Sequence, residues 1–235
     1  MNVLDKWYFY TKLNKKIGDI VMSNEIKFKN IQIVLFFKNE VDYNTLELAN
    51  DISEKLPQLG KPNIFSLPDN VPNEIRLQTP RILFNNSNEL NISVSALDAN
   101  LSTVMENTSE ELQELIKYLY DALLKQNIQI QSIGLVFDFV CFDVDFDKIK
   151  GKYYKNELSD SELVNSSWYN KNENLNIWKF LNVKKENNNK VLDIRCDINN
   201  RGNKTALSEY DIDNIIVQAK NISEKFKEKI EGELK

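Results

Sequence analysis

The chain has 235 residues, of which 42% are hydrophobic and 28% charged, and it carries a net charge of −5. That length supports a real core in one large domain or two small ones, and the acidic balance excludes holding a nucleic-acid backbone by bulk charge. Histidine is absent, which removes the commonest general base, the commonest metal ligand and every Ser-His or Cys-His arrangement.

No apolar run nears the ~18–20 residues of a membrane span, and the N-terminus lacks a basic-then-apolar signal pattern. A cytoplasmic protein with no membrane partner is therefore expected. Cys141 and Cys196 are the two cysteines, each inside a strand-like run, and read as reduced core residues.

In chain order, residues 1–25 read as an N-terminal arm or extension ahead of a single α+β domain over 26–235. The arm holds Trp7, Tyr8, Phe9 and Tyr10 beside Lys12, Lys15 and Lys16. It either packs on the main body or presents aromatic anchors to a partner. Ile26–Phe37 alternates with a period of two, Ile31, Ile33, Leu35 and Phe37 on one face, and predicts a strand. Asp42 or Asn44 then caps a helix that Pro57 ends. Gly60–Asn73, with Pro62, Pro68 and Pro72, reads as an extended loop. Glu74–Phe84 and Leu90–Ala96 read as strands around the turn Asn85-Asn86-Ser87-Asn88, with a further short strand at Leu101–Glu106.

Thr108-Ser109-Glu110-Glu111 is a capping box, followed at helical spacing by Leu112, Leu115, Ile116, Leu119 and Leu123. That helix leads into Gln129–Asp147, the longest apolar-rich run and the expected centre of the sheet. Ile133, Leu135, Phe137, Phe139 and Cys141 share one face. Beyond Cys141 this face turns to Asp143, Asp145 and Asp147, and the apolar role passes to Phe142, Val144 and Phe146. A strand whose buried face switches in this way changes packing partner or carries a bulge.

Residues 148–174 read as a polar, irregular insertion containing Tyr153, Tyr154, Trp168 and Tyr169. Leu175–Lys184 and Lys190–Asn199 predict a second hairpin. A helix capped near Ser208, with Asp211 three residues on, closes the chain. The order β-α-β-β-α-β, then β-β-α, argues for α+β with a mainly antiparallel sheet and helices packed on it. No internal repeat stands out.

Three constellations bear on chemistry. Asp143, Asp145 and Asp147 stand on one strand face; with Asp193 or Asp197 they would suit Mg²⁺ or Ca²⁺, or else form a solvated sheet end. Asp138, set among Phe137, Phe139 and Val140, needs a cation such as Arg195 or Arg81 if it is buried. Trp168, Tyr169 and Trp178 read as interface anchors or as a lid over the sheet. The stretch Asn199–Thr205 has some likeness to a phosphate-binding turn but lacks the glycine-lysine spacing, and reads as a turn into the last helix. Gly-x-Gly-x-x-Gly, Cys-x-x-Cys and Gly-x-Ser-x-Gly do not occur.

The strand Ile31–Phe37 with its helix ending Lys55-Leu56-Pro57, the run Pro80-Arg81-Ile82-Leu83-Phe84, and Val191–Asp197 with the terminal helix containing Phe226 carry a resemblance. In pattern and order, over roughly residues 26–231, the chain resembles a sporadically distributed family of uncharacterised bacterial proteins. It departs from that family at Asp143–Asp147, where an arginine-rich strand end is expected. The resemblance implies an accessory role, with mobile elements or in phage defence, and transfers no catalytic residues.

The expectation is thus a cytosolic protein-binding factor, not an enzyme, of the inhibitor, antitoxin or immunity type in bacterium–phage conflict. Trp168, Tyr169, Trp178, Asp143, Asp145 and Asp147 would meet a protein partner, such as a basic nucleic-acid enzyme, or a second copy. No cofactor and no direct nucleic acid are expected. The alternatives are a metal-dependent hydrolase or nuclease using Asp143, Asp145, Asp193 and Asp197, and a small-ligand-sensing module with an aromatic lid.

Overall fold

A computed structural model describes residues 25–68, 70–85, 89–142, 144, 145, 149, 164–172, 174–186, 189–202 and 205–234. Residues 1–24 of the expected arm, Asp143, Asp147, Tyr153, Tyr154, and the turn residues 86–88 and 187–188 lie outside them. The strands are β1 (Lys27–Phe37), β2 (Asn63–Ile64), β3 (Ile82–Phe84), β4 (Leu90–Val94), β5 (Asp98–Thr103), β6 (Ile130–Phe142), β7 (Val164–Asn172), β8 (Leu175–Glu186) and β9 (Asn189–Asn199). The helices are α1 (Thr45–Lys55), α2 (Asn73–Gln78), α3 (Ser109–Lys125) and α4 (Glu209–Leu234).

Among the described residues the strands form one antiparallel sheet in the order β2-β3-β4-β5-β1-β6-β9-β8-β7. The α+β class with a mainly antiparallel sheet follows directly. Period-two alternation assigns the faces. Ile31, Ile33 and Leu35 of β1 lie beside Leu135 and Phe137 of β6 and Ala99 and Leu101 of β5, all buried. Across β6 the same face continues through Ile194, Cys196 and Ile198 of β9 to Ile177 and Leu181 of β8.

Helices cover this face. Three of them each bury one stripe: Leu48 and Ile52 of α1, Leu112, Ile116, Leu119 and Leu123 of α3, and Ile212, Ile216, Phe226 and Ile230 of α4. Asn44 caps α1, its side chain accepting the Glu47 N–H at 3.2 Å. Thr108 and Glu111 close the reciprocal box of α3, and Ser208 and Asp211 make the equivalent box for α4. Cys141 and Cys196 are buried without a disulfide, and burial pushes the Cys196 thiol up to about 12.

The strand order contains a duplication that the sequence does not display. β1, β3, β4, β5 and α3 recur as β6, β7, β8, β9 and α4, and the two sets meet at the β1–β6 seam. Both sets end with a helix opened by a capping box, Thr108-Ser-Glu-Glu111 and Ser208-Glu-Tyr-Asp211.

Four expectations change. Asn73–Gln78 is a helix, not the start of a strand. Its Ile75 and Leu77 alternate as in a strand, but Pro72 stands at the N-cap, its carbonyl accepting the Arg76 N–H, and Ile75 is exposed. Only Ile82–Phe84 of that run joins the sheet. The short strand expected at Leu101–Glu106 lies earlier, at Asp98–Thr103. The segment read as irregular contains the nine-residue strand β7, whose edge position needs little apolar sequence. β6 ends at Phe142, which is exposed, whereas Val144 is buried and donates its N–H to the Lys190 carbonyl.

Candidate functional site: the uncovered face of the sheet

Among the described residues no helix lies on the second face of the sheet, and most of its side chains are half-buried or exposed, Ser132 and Val191 being buried exceptions. Strand register arranges them in transverse rows. One row runs Asn91, Ser102, Gln32, Val136, Asp197, Trp178, Tyr169 from β4 to β7. The next holds Asn30, Asp138, Arg195, Phe180 and Ser167.

The first row brings Tyr169 and Trp178 together as direct cross-strand partners, ring centroids 4.7 Å apart and planes tilted by 42°. They are 48% and 40% exposed, although an aromatic pair of this kind usually gains most by burial. Phe180 stacks behind Trp178 at 6.4 Å. A chain of hydrogen bonds braces the strip. The Tyr169 hydroxyl donates to Asn176 Oδ1 at 2.9 Å, and Asn176 Nδ2 donates to Asn199 Oδ1 at 3.2 Å. Asn199 Nδ2 in turn donates to Asp197 Oδ1 at 3.4 Å. The exposed rings are therefore held in place before anything binds.

Asp138 finds its cation in Arg195, one strand over, through a two-pronged pair of 2.7 and 3.0 Å. That pairing raises the already high Arg195 pKa, and it fixes a planar guanidinium beside Phe180. Arg81, the other cation considered for Asp138, pairs instead with Asp42 at 2.9 Å and lies over the Tyr43 ring. A bulge at Lys29 interrupts the β1–β6 register, and Lys29 joins Lys184 on Asp193 at 3.3 and 2.8 Å. Among the described residues Asp197 makes no ion pair; its partner is the neutral Asn199 amide.

The structure divides the sequence-derived contact set. Tyr169 and Trp178 share the open face, but Trp168 sits on the helix side, opposite Lys179 and packed against the core. Neighbouring residues of a strand point to opposite faces, so Trp168 and Tyr169 cannot both serve one surface. Asp145 is exposed beyond the end of β6, and Asp143 and Asp147 lie outside the described residues.

Of the carboxylates proposed for a metal, Asp193 and Asp197 do not converge. Asp193 and Asp197 are four residues apart on β9, ~13 Å along a strand, with Arg195 between them. One ion taking oxygen ligands at ~2.0–2.6 Å cannot bind both. Among the described residues no group of three or more His, Cys, Asp or Glu is placed to hold a metal. Asn176 and Asn199 are the neighbours of the aromatic pair that sequence reasoning missed, whereas Arg195 was already named as a cation for Asp138. The signal was there, since both asparagines alternate with core residues on strands already recognised.

No described helix is long and apolar enough to cross a membrane. No family model matches the chain, and no curated protein matches it.

Proposed function

We propose that the chain is a protein-binding factor that docks its partner on the uncovered sheet face, in the manner of an inhibitor, antitoxin or immunity protein. The observation that carries this reading is the Tyr169–Trp178 pair, exposed in register on a rigid sheet and braced from below. Rigid aromatic anchors beside fixed polar groups are the usual energetic centre of protein interfaces. Asp197, next to Trp178 and in no ion pair among the described residues, would receive a lysine or arginine from the partner. The same carboxylate argues against stacked single-stranded nucleic acid, whose phosphates it would repel. The inhibitor or antitoxin type rests on the family resemblance, and a basic partner on the acidic balance.

The test is quantitative affinity purification from the native host with wild type, Tyr169→Ala/Trp178→Ala and Asn91→Ala/Ser102→Ala. The expected result is one stoichiometric protein that survives the second pair of changes and is lost with the first. Loss of two aromatic anchors costs ~2 kcal/mol or more, at least ~30-fold in affinity. Retention of the partner by the aromatic double variant, or recovery of salt-sensitive nucleic acid in its place, sinks the reading.

A further inference from the structure

At one end of the sheet a polar cleft of about 440 Å³ opens between the start of β8, the turn after β9 and the first two turns of α4. Its lining includes Lys171, Asn176, Asn200, Arg201, Asn214 and Gln218. The duplicated half has a counterpart of about 310 Å³ between the start of β4, the end of β5 and α3. The helix positions correspond one for one: 211, 214, 215 and 218 line the first cleft, 111, 114, 115 and 118 the second. The chemistry differs. The α3 cleft carries Glu89, Glu111 and Glu114 beside Leu115 and Met105. The α4 cleft carries two cations and a set of carboxamides.

Asn200 distinguishes the α4 cleft. It is only 4% exposed, and its Oδ1 accepts the Ile133 N–H at 2.7 Å, while its own N–H donates to the Ile133 carbonyl. That contact settles which way round the amide lies. Its Nδ2 has no acceptor among the described residues and is available to a molecule in the cleft. Among the described residues neither Arg201, whose guanidinium lies 4.5 Å from the Phe36 ring centroid, nor Lys171 has a carboxylate partner. Asp211, the one acid in the lining, directs its carboxylate to the Ser208 N–H and hydroxyl at 2.9 and 2.6 Å. Gly202, at φ 104°, turns the chain so that Arg201 and Asn200 both border the opening.

We infer that this cleft binds a small hydroxyl-bearing oxyanion, its carboxylate or phosphate taken by Arg201 and Lys171 and its body by the Asn200, Asn214 and Gln218 amides. An anionic group would meet two cations that make no ion pair among the described residues, and an acceptor oxygen would take the Asn200 Nδ2 donor. The cleft adjoins the aromatic strip through Asn176, but the variants that test it leave Tyr169 and Trp178 in place, so either proposal can fail without the other.

The test uses the full chain, titrated with D-ribose 5-phosphate, D-gluconate and neutral D-ribose while following amide resonances. The expected result is saturable shifts of the Asn200 side-chain amide and of residues 201, 214 and 218 with one or both anions. The two anions separate a phosphate from a carboxylate ligand, and D-ribose should leave these signals in place. Arg201→Gln should weaken binding about tenfold. Asn200→Asp keeps the acceptor for Ile133 but replaces the donor with an anion, and should abolish binding. If that variant does not fold, Arg201→Gln and Lys171→Gln decide the matter together. Absence of shifts with both anions, equal binding of D-ribose, or affinity unchanged in the variants that fold would overturn the inference.

Discussion

The two halves of the sheet share a strand order and a helix placement but present different chemistry on the open face. On the β4–β5 side the central row is Asn91, Ser102 and Gln32; on the β9–β7 side it is Asp197, Trp178 and Tyr169. The helix-facing rows remain apolar through most of both halves, with Ile33 and Leu101 matched by Leu135 and Ile198. Burial constrains only the covered face, because packing density penalises any change there. The uncovered face carries no such restriction, so a duplicated scaffold specialises there without changing its fold. The exposed Tyr169–Trp178 pair, found in one half only among the described residues, is the reason the docking site is proposed there.

The largest expected effect bears on whether the halves are one unit. Leu135→Ala, at the seam and fully buried, should cost ~2–5 kcal/mol. In hydrogen exchange the protected amides of β4 and β8 should then open together. If β8 opens well before β4, the halves are separate cooperative units and the comparison is between two small domains.

Next comes the charged row peculiar to the second half. Arg195→Ala leaves Asp138, whose side chain is 13% exposed, without its cation, and should cost ~1–3 kcal/mol in urea unfolding. Asp138→Leu/Arg195→Leu should recover most of that loss, since replacing both members of a shielded pair is often neutral. A double variant as unstable as the single one would mean that the row supports the fold as well as the surface.

The smallest effect concerns what the halves retain in common. Thr108→Ala and Ser208→Ala each remove a capping hydroxyl and should cost similar amounts, ~0.5–2 kcal/mol, by thermal unfolding. They should differ in acid. The Ser208 hydroxyl and then its backbone N–H hold the Asp211 carboxyl below its ordinary range. The stability this provides is complete above that range and disappears as pH falls through the lowered value. Asp211→Asn should flatten this part of the acid profile, and a profile identical to wild type would refute the assignment.

Much of the scaffold was legible because its signals are local. Period two marks β1 and β6, the capping boxes mark the starts of α3 and α4, and an Asn-rich turn separates β8 from β9. β7 escaped because an edge strand with one wet face needs only an occasional apolar residue, here Trp168. α2 escaped because Ile75 and Leu77 mimic a strand over too short a span for helical periodicity to show. The duplication was hidden for another reason. Equivalent strands share only apolar alternation, which any two strands share, and the capping boxes differ in residue while agreeing in role. The Tyr169–Trp178 pairing depended on the β7–β8 register, which no single strand contains.

The seam also sets a timetable. Ile33 pairs with Leu135, roughly a hundred residues later, whereas the β3–β4 and β8–β9 pairings close within a short stretch of chain. At ~5–20 residues per second a ribosome takes ~5–20 s to deliver β6 after β1. Throughout that interval the apolar β1 has one hydrogen-bonding edge without its eventual occupant. Nascent chains emerging from one messenger meet each other in that window, and an open strand edge is the feature most prone to capture a neighbour. Translation speed between β1 and β6 is therefore a determinant of yield for this protein, independent of the stability of the finished fold.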